Sequence, residues 1–180
     1  MLALYPAAGN SRALWVAHAD QQPAGAALSE DLWQWSEVQS GVATLSAPVV
    51  DAFVPQMLNY ESLGGVNFKK GCYPGQEIVA RSQFRGTLKR RTYLVHASQA
   101  LAVGQEVFSP DDLEQSTGTV VQAAAAPAGG WDALVSMQIA SSERSDLFAH
   151  PALAEGQSAD AASGIALQLL PLPYELLADI

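Results

Sequence analysis

The sequence predicts an α+β protein, with a mixed first part over residues 1–86 and a small antiparallel β-barrel over residues 87–180. Three observations carry this. Two stretches in the first part have helical spacing with recognisable ends. From Thr92 onward the pattern changes to short β-like runs separated by turn-rich segments, the mark of a small barrel. The composition, 49% hydrophobic and 15% charged over 180 residues, is that of a chain able to bury a core.

Taken in order, residues 13–19 (Ala-Leu-Trp-Val-Ala-His-Ala) read as a strand entered from a Gly9-Asn10 turn, and residues 21–25 as a loop. Ser29 is a good N-cap, with Glu30 and Asp31 in the first turn, so residues 32–40 read as a helix ending before Gly41. Residues 49–59 are apolar and broken at Pro55, which predicts short irregular or helical pieces. Residues 59–63 suggest one helical turn ending at Gly64-Gly65, and residues 66–69 a short strand. Pro74 suits a first helical position, Ile78, Val79 and Ser82 follow at helical spacing, and Gly86 is a stop, so residues 74–84 read as a second helix. Beyond it, residues 92–96, 106–108, 118–122, 133–137 and 165–169 are β-like. Residues 123–130 are low in complexity and read as a flexible hairpin loop.

Bulk properties exclude several classes. A single cysteine rules out an internal disulfide framework, suits a reducing, cytoplasmic setting, and is too few to hold an iron–sulfur cluster. No apolar run reaches membrane-spanning length, and residues 1–10, with no basic leader and broken by Pro6, make a poor signal peptide. His18, His96 and His150 are scattered and match no metal spacing. A net charge of −9 argues against indiscriminate nucleic-acid binding, though not against a local docking patch.

The charge is unevenly spread. Residues 69–91 hold seven of the nine Lys+Arg and one acid, Glu77, so this window carries +6 while the remainder carries −15. A cationic island on an acidic protein points to a held anion. It also contains Cys72, just ahead of the second helix. Unpaired N–H groups at the helix start and the charges of Lys69 and Lys70 favour thiolate over thiol there. Gly71 and Gly75 let a ligand or partner approach the backbone closely. A lone cysteine is more often a small buried hydrophobe, and a basic run more often a solvated face. The residues themselves therefore reach only an anion site with a reactive thiol. A Cys72–His96 nucleophile–base pair is a further reading that spacing leaves open.

Lys70-Gly71-Cys72-Tyr73 with Gly75-Gln76-Glu77, preceded by Phe53-Val54-Pro55-Gln56-Met57-Leu58-Asn59 and followed by Val79-Ala80-Arg81 and Phe84-Arg85-Gly86, resembles the signature of the YgfZ proteins. These are folate-binding relatives of the glycine-cleavage aminomethyltransferase. The likeness runs from Leu4-Tyr5-Pro6 to Pro171-Leu172-Pro173-Tyr174, and family members extend well before the point matching Met1, so the chain resembles their later part.

The resemblance implies a folate-binding α+β portion over residues 1–86 with a C-terminal barrel packed on it, tetrahydrofolate as cofactor, and a role in building or repairing iron–sulfur enzymes, including those that methylthiolate tRNA. Partners would be folate, iron–sulfur client proteins, and tRNA or a tRNA-modifying enzyme, with no membrane. Trp35-Ser36-Glu37-Val38-Gln39-Ser40-Gly41 resembles the segment whose glutamate reads the pterin, so Glu37 is the expected ring contact. A carboxylate suits that task because it accepts two bonds from paired N–H donors. Blind, a helical glutamate reads as solvent-facing, and Trp33 and Trp35 read equally as stacking groups or as core. Lys70, Arg81 and Arg85 would face the anionic glutamate tail. Tyr73, Gly75, Gln76 and Glu77 complete the implied cofactor contacts, with Cys72 as the working thiol. Two other functions compete: a folate-dependent aminomethyltransferase, and an RNA-docking module using the basic island. The transferase's essential aspartate falls in the portion this chain lacks, and the Lys-Gly-Cys-Tyr motif belongs to the YgfZ branch, so its status as an enzyme stays open.

Overall fold

A computed structural model describes residues 1–86, 88–150 and 162–177. The chain opens with a hairpin of β1 (Leu2–Ala7) and β2 (Asn10–Leu14), turned at Ala8 and Gly9, both with positive φ. That turn geometry matches the right-handed twist of the flanking strands. The pairing slips between Leu4 and Ala7, where Pro6, with no N–H to give, sits at an irregularity. The strand expected over residues 13–19 therefore lies earlier and ends at Leu14.

Helix α1 (Glu30–Gln39) forms as expected, and Ser29 caps it by accepting from the Leu32 N–H. One turn of 3-10 helix spans Ala47–Val49 and another Pro55–Leu58, each with proline at its start, before Asn59 turns the chain with φ 61°. Residues 66–69 form no strand. The Asn67 side chain accepts from the Lys69 N–H and sets a local turn instead. Helix α2 (Gln76–Phe84) follows, two residues later than expected because Gly75, in the left-handed region, takes the cap. The expected boundary after residue 86 meets Thr87, which lies outside the described residues.

The remainder is an antiparallel sheet of seven strands: β3 (Arg90–Ala97), β4 (Glu106–Phe108), β5 (Gly118–Ala125), β6 (Trp131–Gln138), β7 (Phe148–His150), β8 (Ile165–Ala166) and β9 (Gln168–Leu170). Their spatial order is β8-β7-β4-β5-β6-β3-β9. The first and last members are separated in the chain by Leu167 alone, whose N–H donates to the Leu147 carbonyl. One short stretch thus pairs with both ends of the sheet and brings it almost to closure as a barrel.

Period-two alternation sorts the side chains. Val95, Val107, Val120, Val135, Met137 and Ile165 fill the barrel, while Leu94, Val121 and Leu134 point outward against Val38, Ala43 and Leu58. Helix α1 and the Pro55–Leu58 turn are held on the barrel by this second cluster. Residues 123–125 extend β5, paired through Ala125 and Trp131, so the expected loop shrinks to residues 126–130. Alanine is a weak strand former, but the pairing with β6 and the burial of Ala124 override propensity. No helix among the described residues is long and apolar enough to cross a membrane.

Candidate functional site

The segment leading to α2 is open to solvent. Cys72 is a free, exposed cysteine. Behind it the Tyr73 N–H donates to Gln76 Oε1, which ties the motif back onto the first residue of α2. Glu77 occupies the first turn, where a carboxylate complements the helix dipole. Gly75 holds the cap, so the sulfur sits three residues ahead of it instead of against the helix start. Helix α2 is fastened by few contacts. Val79 is its one buried residue, and buried Gln56 donates from Nε2 to the Val79 carbonyl at 2.8 Å and to Gln83 Oε1 at 3.4 Å.

The outer side of α2 carries a trough. A cavity of about 330 Å³ is lined by Asn67, Phe68, Lys70, Tyr73, Gln76, Glu77, Ala80 and Phe84. A second, of about 630 Å³, is lined by Glu77, Ala80, Arg81, Phe84 and Arg85. The structure thereby brings together Lys70, Tyr73, Gln76 and Glu77 on one side, and Glu77, Arg81 and Arg85 on the other. Phe68 and Phe84 meet edge to face at 4.9 Å, and the Lys70 ammonium lies 4.9 Å from the Tyr73 ring centre.

The seven cations of the basic window divide. Arg91 is interior: its guanidinium donates to Glu61 Oε1 at 2.8 Å and to the Leu177 carbonyl, and neither partner of this ion pair sees much water. Arg90 reaches the Ser116 carbonyl at 3.5 Å. Lys69, Lys70, Arg81, Arg85 and Lys89 form no ion pair among the described residues, whereas both cations outside the window, Arg12 and Arg144, do. The anion-holding reading thus applies to five cations, and Arg91 is removed from it.

Glu37 lies elsewhere, on α1, and is ion-paired with Arg12. Sequence reasoning did not single out Arg12. It comes from β2, lies over the Trp33 ring at 4.7 Å, and burial lowers its pKa from the usual guanidinium value. Its Nε is buried and has no hydrogen-bond partner among the described residues. Arg12, Leu32, Trp33 and Trp35 help line a cavity of about 380 Å³ between the hairpin and α1. This cavity shares no lining residue with the α2 trough.

Asp132 was also missed. Its carboxylate accepts from Trp35 Nε1 at 2.6 Å and Gln39 Nε2 at 2.8 Å, and His96 Nδ1 lies 2.7 Å from its other oxygen. These partners are 36 to 97 residues away in sequence, so no local pattern marks it. His96 Nδ1 is thus held by Asp132, and no contact among the described residues joins its ring to Cys72.

No family model matches the chain. The tRNA-modifying protein YgfZ of Cronobacter sakazakii is 38% identical over 94 residues, covering 51% of this chain and 29% of that protein. That of Vibrio atlanticus is 38% identical over 91 residues, covering 51% and 28%. That of Edwardsiella ictaluri is 37% identical over 150 residues, covering 79% of this chain and 41% of the relative. These matches support a YgfZ family assignment for the chain. A match over 79% of 180 residues necessarily takes in residues 69–91, so the YgfZ likeness includes the basic window and its cysteine. The chain spans less than half the length of these YgfZ relatives.

Proposed function

We propose that this chain serves tRNA modification as a tetrahydrofolate-linked auxiliary protein, offering Cys72 to iron–sulfur enzymes that methylthiolate tRNA. The observation that carries the reading is the exposed, unpaired thiol in a segment flanked by cations with no carboxylate partner. Three relatives named as tRNA-modifying proteins support the tRNA part. Lys69 and Lys70, next to the thiol in sequence and exposed like it, draw in an anionic partner.

The cavity beside Arg12 suits a pterin in two respects. Trp33 and Trp35 supply ring surface, and the partnerless Arg12 Nε can donate to a ring carbonyl. Glu37 is not itself in the cavity lining and serves the site by holding Arg12 through one carboxylate oxygen. When bound, tetrahydrofolate would supply one-carbon or redox chemistry. The residues here bind and orient it.

Cys72 is expected to react with a disulfide reagent at neutral pH faster than free cysteine does. In cells carrying Cys72→Ser at the native gene, mass spectrometry of tRNA nucleosides is expected to show loss of the methylthio modification. Wild-type modification levels in those cells would overturn the proposal.

A further inference from the structure

We infer that the trough along α2 binds single-stranded RNA, with unstacked bases on its aromatic rings and phosphates on its unpaired cations. The inference rests on the tRNA reading above and names the surface that would meet the nucleic acid. The two cavities flanking α2 share Glu77, Ala80 and Phe84, so they form one continuous trough. Its rings are not core. Phe84 is 70% exposed, Phe68 42% and Tyr73 40%, and the contact between Phe68 and Phe84 fixes two of them in place without covering them. A folded chain gains nothing from rings left in water, which marks them for a partner.

The charges say which partner. This chain has 18 acids for 9 Lys+Arg, yet the trough's Lys70, Arg81 and Arg85 take no ion-pair partner among the described residues. An acidic peptide would satisfy these cations and leave the rings idle. A duplex offers phosphates but keeps its bases stacked inside. A single strand supplies both regularly spaced anions and free π-faces, the pairing by which such strands are held. Glu77, at the middle of the trough, is an acceptor for amino groups on a base edge. The remaining surface is strongly acidic and repels the strand on either side, so the footprint is confined to a few nucleotides.

The test is fluorescence anisotropy of the whole chain with a short labelled single-stranded RNA, the same RNA annealed to its complement, and poly-glutamate as competitor. Expected are binding of the single strand, at least about tenfold weaker binding of the duplex, and a slope of about −2 in log affinity against log salt, from the three cations that line the trough. Phe84→Ala, at an exposed position, should weaken the single strand about 5- to 150-fold with an unchanged circular dichroism spectrum. Arg85→Ala should lower the salt slope by about 0.7. Equal binding of the duplex, displacement by poly-glutamate at matched charge, or no effect of Phe84→Ala would each overturn the inference. Absence of RNA binding while methylthiolation still requires Cys72 would sink this inference alone. Methylthiolation independent of Cys72 would sink the parent reading whatever the RNA does.

Discussion

Arg12 decides what Glu37 is able to do. A helical glutamate with both oxygens free could grip two ring N–H donors at once, but here one oxygen is committed to a guanidinium that is itself stacked on Trp33. The carboxylate is thus oriented before any ligand arrives. Replacing it by Glu37→Gln removes the charge while keeping the shape, and is expected to weaken tetrahydrofolate about 10- to 100-fold, the worth of one charge-assisted hydrogen bond. Titration calorimetry measures this, with a melting curve alongside. An unchanged affinity with a lowered melting temperature would make Glu37 simply the counterion of Arg12. At this scale the sequence was half legible. Glu37 and Cys72 stood out through the motifs around them, whereas Arg12 and Asp132 have no local signature, because their partners arrive only through the tertiary fold.

Among the elements, β3 shows how a strand divides a run of like charges. Lys89 precedes it and stays exposed, while Arg91 turns inward, 6% exposed, to meet Glu61. That pair, together with the Arg91 bond to the Leu177 carbonyl, fastens the segment after Pro55–Leu58 and the C-terminal stretch to the barrel. Glu61→Gln would leave a buried cation without its counterion and is expected to cost about 3–5 kcal/mol. Urea denaturation reads this, and a double change to Glu61→Leu with Arg91→Met should recover much of the loss. Read as letters, residues 89–91 are one basic cluster; only strand alternation separates the inward member from the outward ones. The helices were legible because their caps and spacing are local. The three-residue strand β7 and the alanine-rich end of β5 were not, because only pairing with neighbours makes them strands.

At the scale of the whole molecule, one tyrosine ties the tail to the first part and another ties two segments of the first part together. Tyr174 donates to the Gly41 carbonyl at 2.7 Å and accepts from Asn59, and Tyr60 donates to the Ala43 carbonyl at 2.6 Å. Burial raises both phenol pKa values above the usual one, so the folded state keeps these protons longer than the unfolded chain does. Their contribution is complete below about pH 10, the unfolded value, and is lost as pH rises through the higher folded values. Melting temperature should therefore fall in alkali. The double variant Tyr60→Phe with Tyr174→Phe, less stable at neutral pH, should show a flatter alkaline limb; an identical limb would assign the loss to other groups. The barrel itself was legible from the rhythm of short runs and turns. Its closure was not: residues 165–169 read as one strand, and nothing local announces that Leu167 hands the chain from one edge of the sheet to the other.

That hand-over has a temporal side. Ribosomes build proteins from the N-terminus, so the clasp of this hoop is made after its other strands. Until it emerges, β3 and β7 each present a bare row of backbone donors and acceptors, the sort of rim to which a neighbouring nascent chain can stick. The interval before fastening is the moment at which this molecule is most exposed to misassembly.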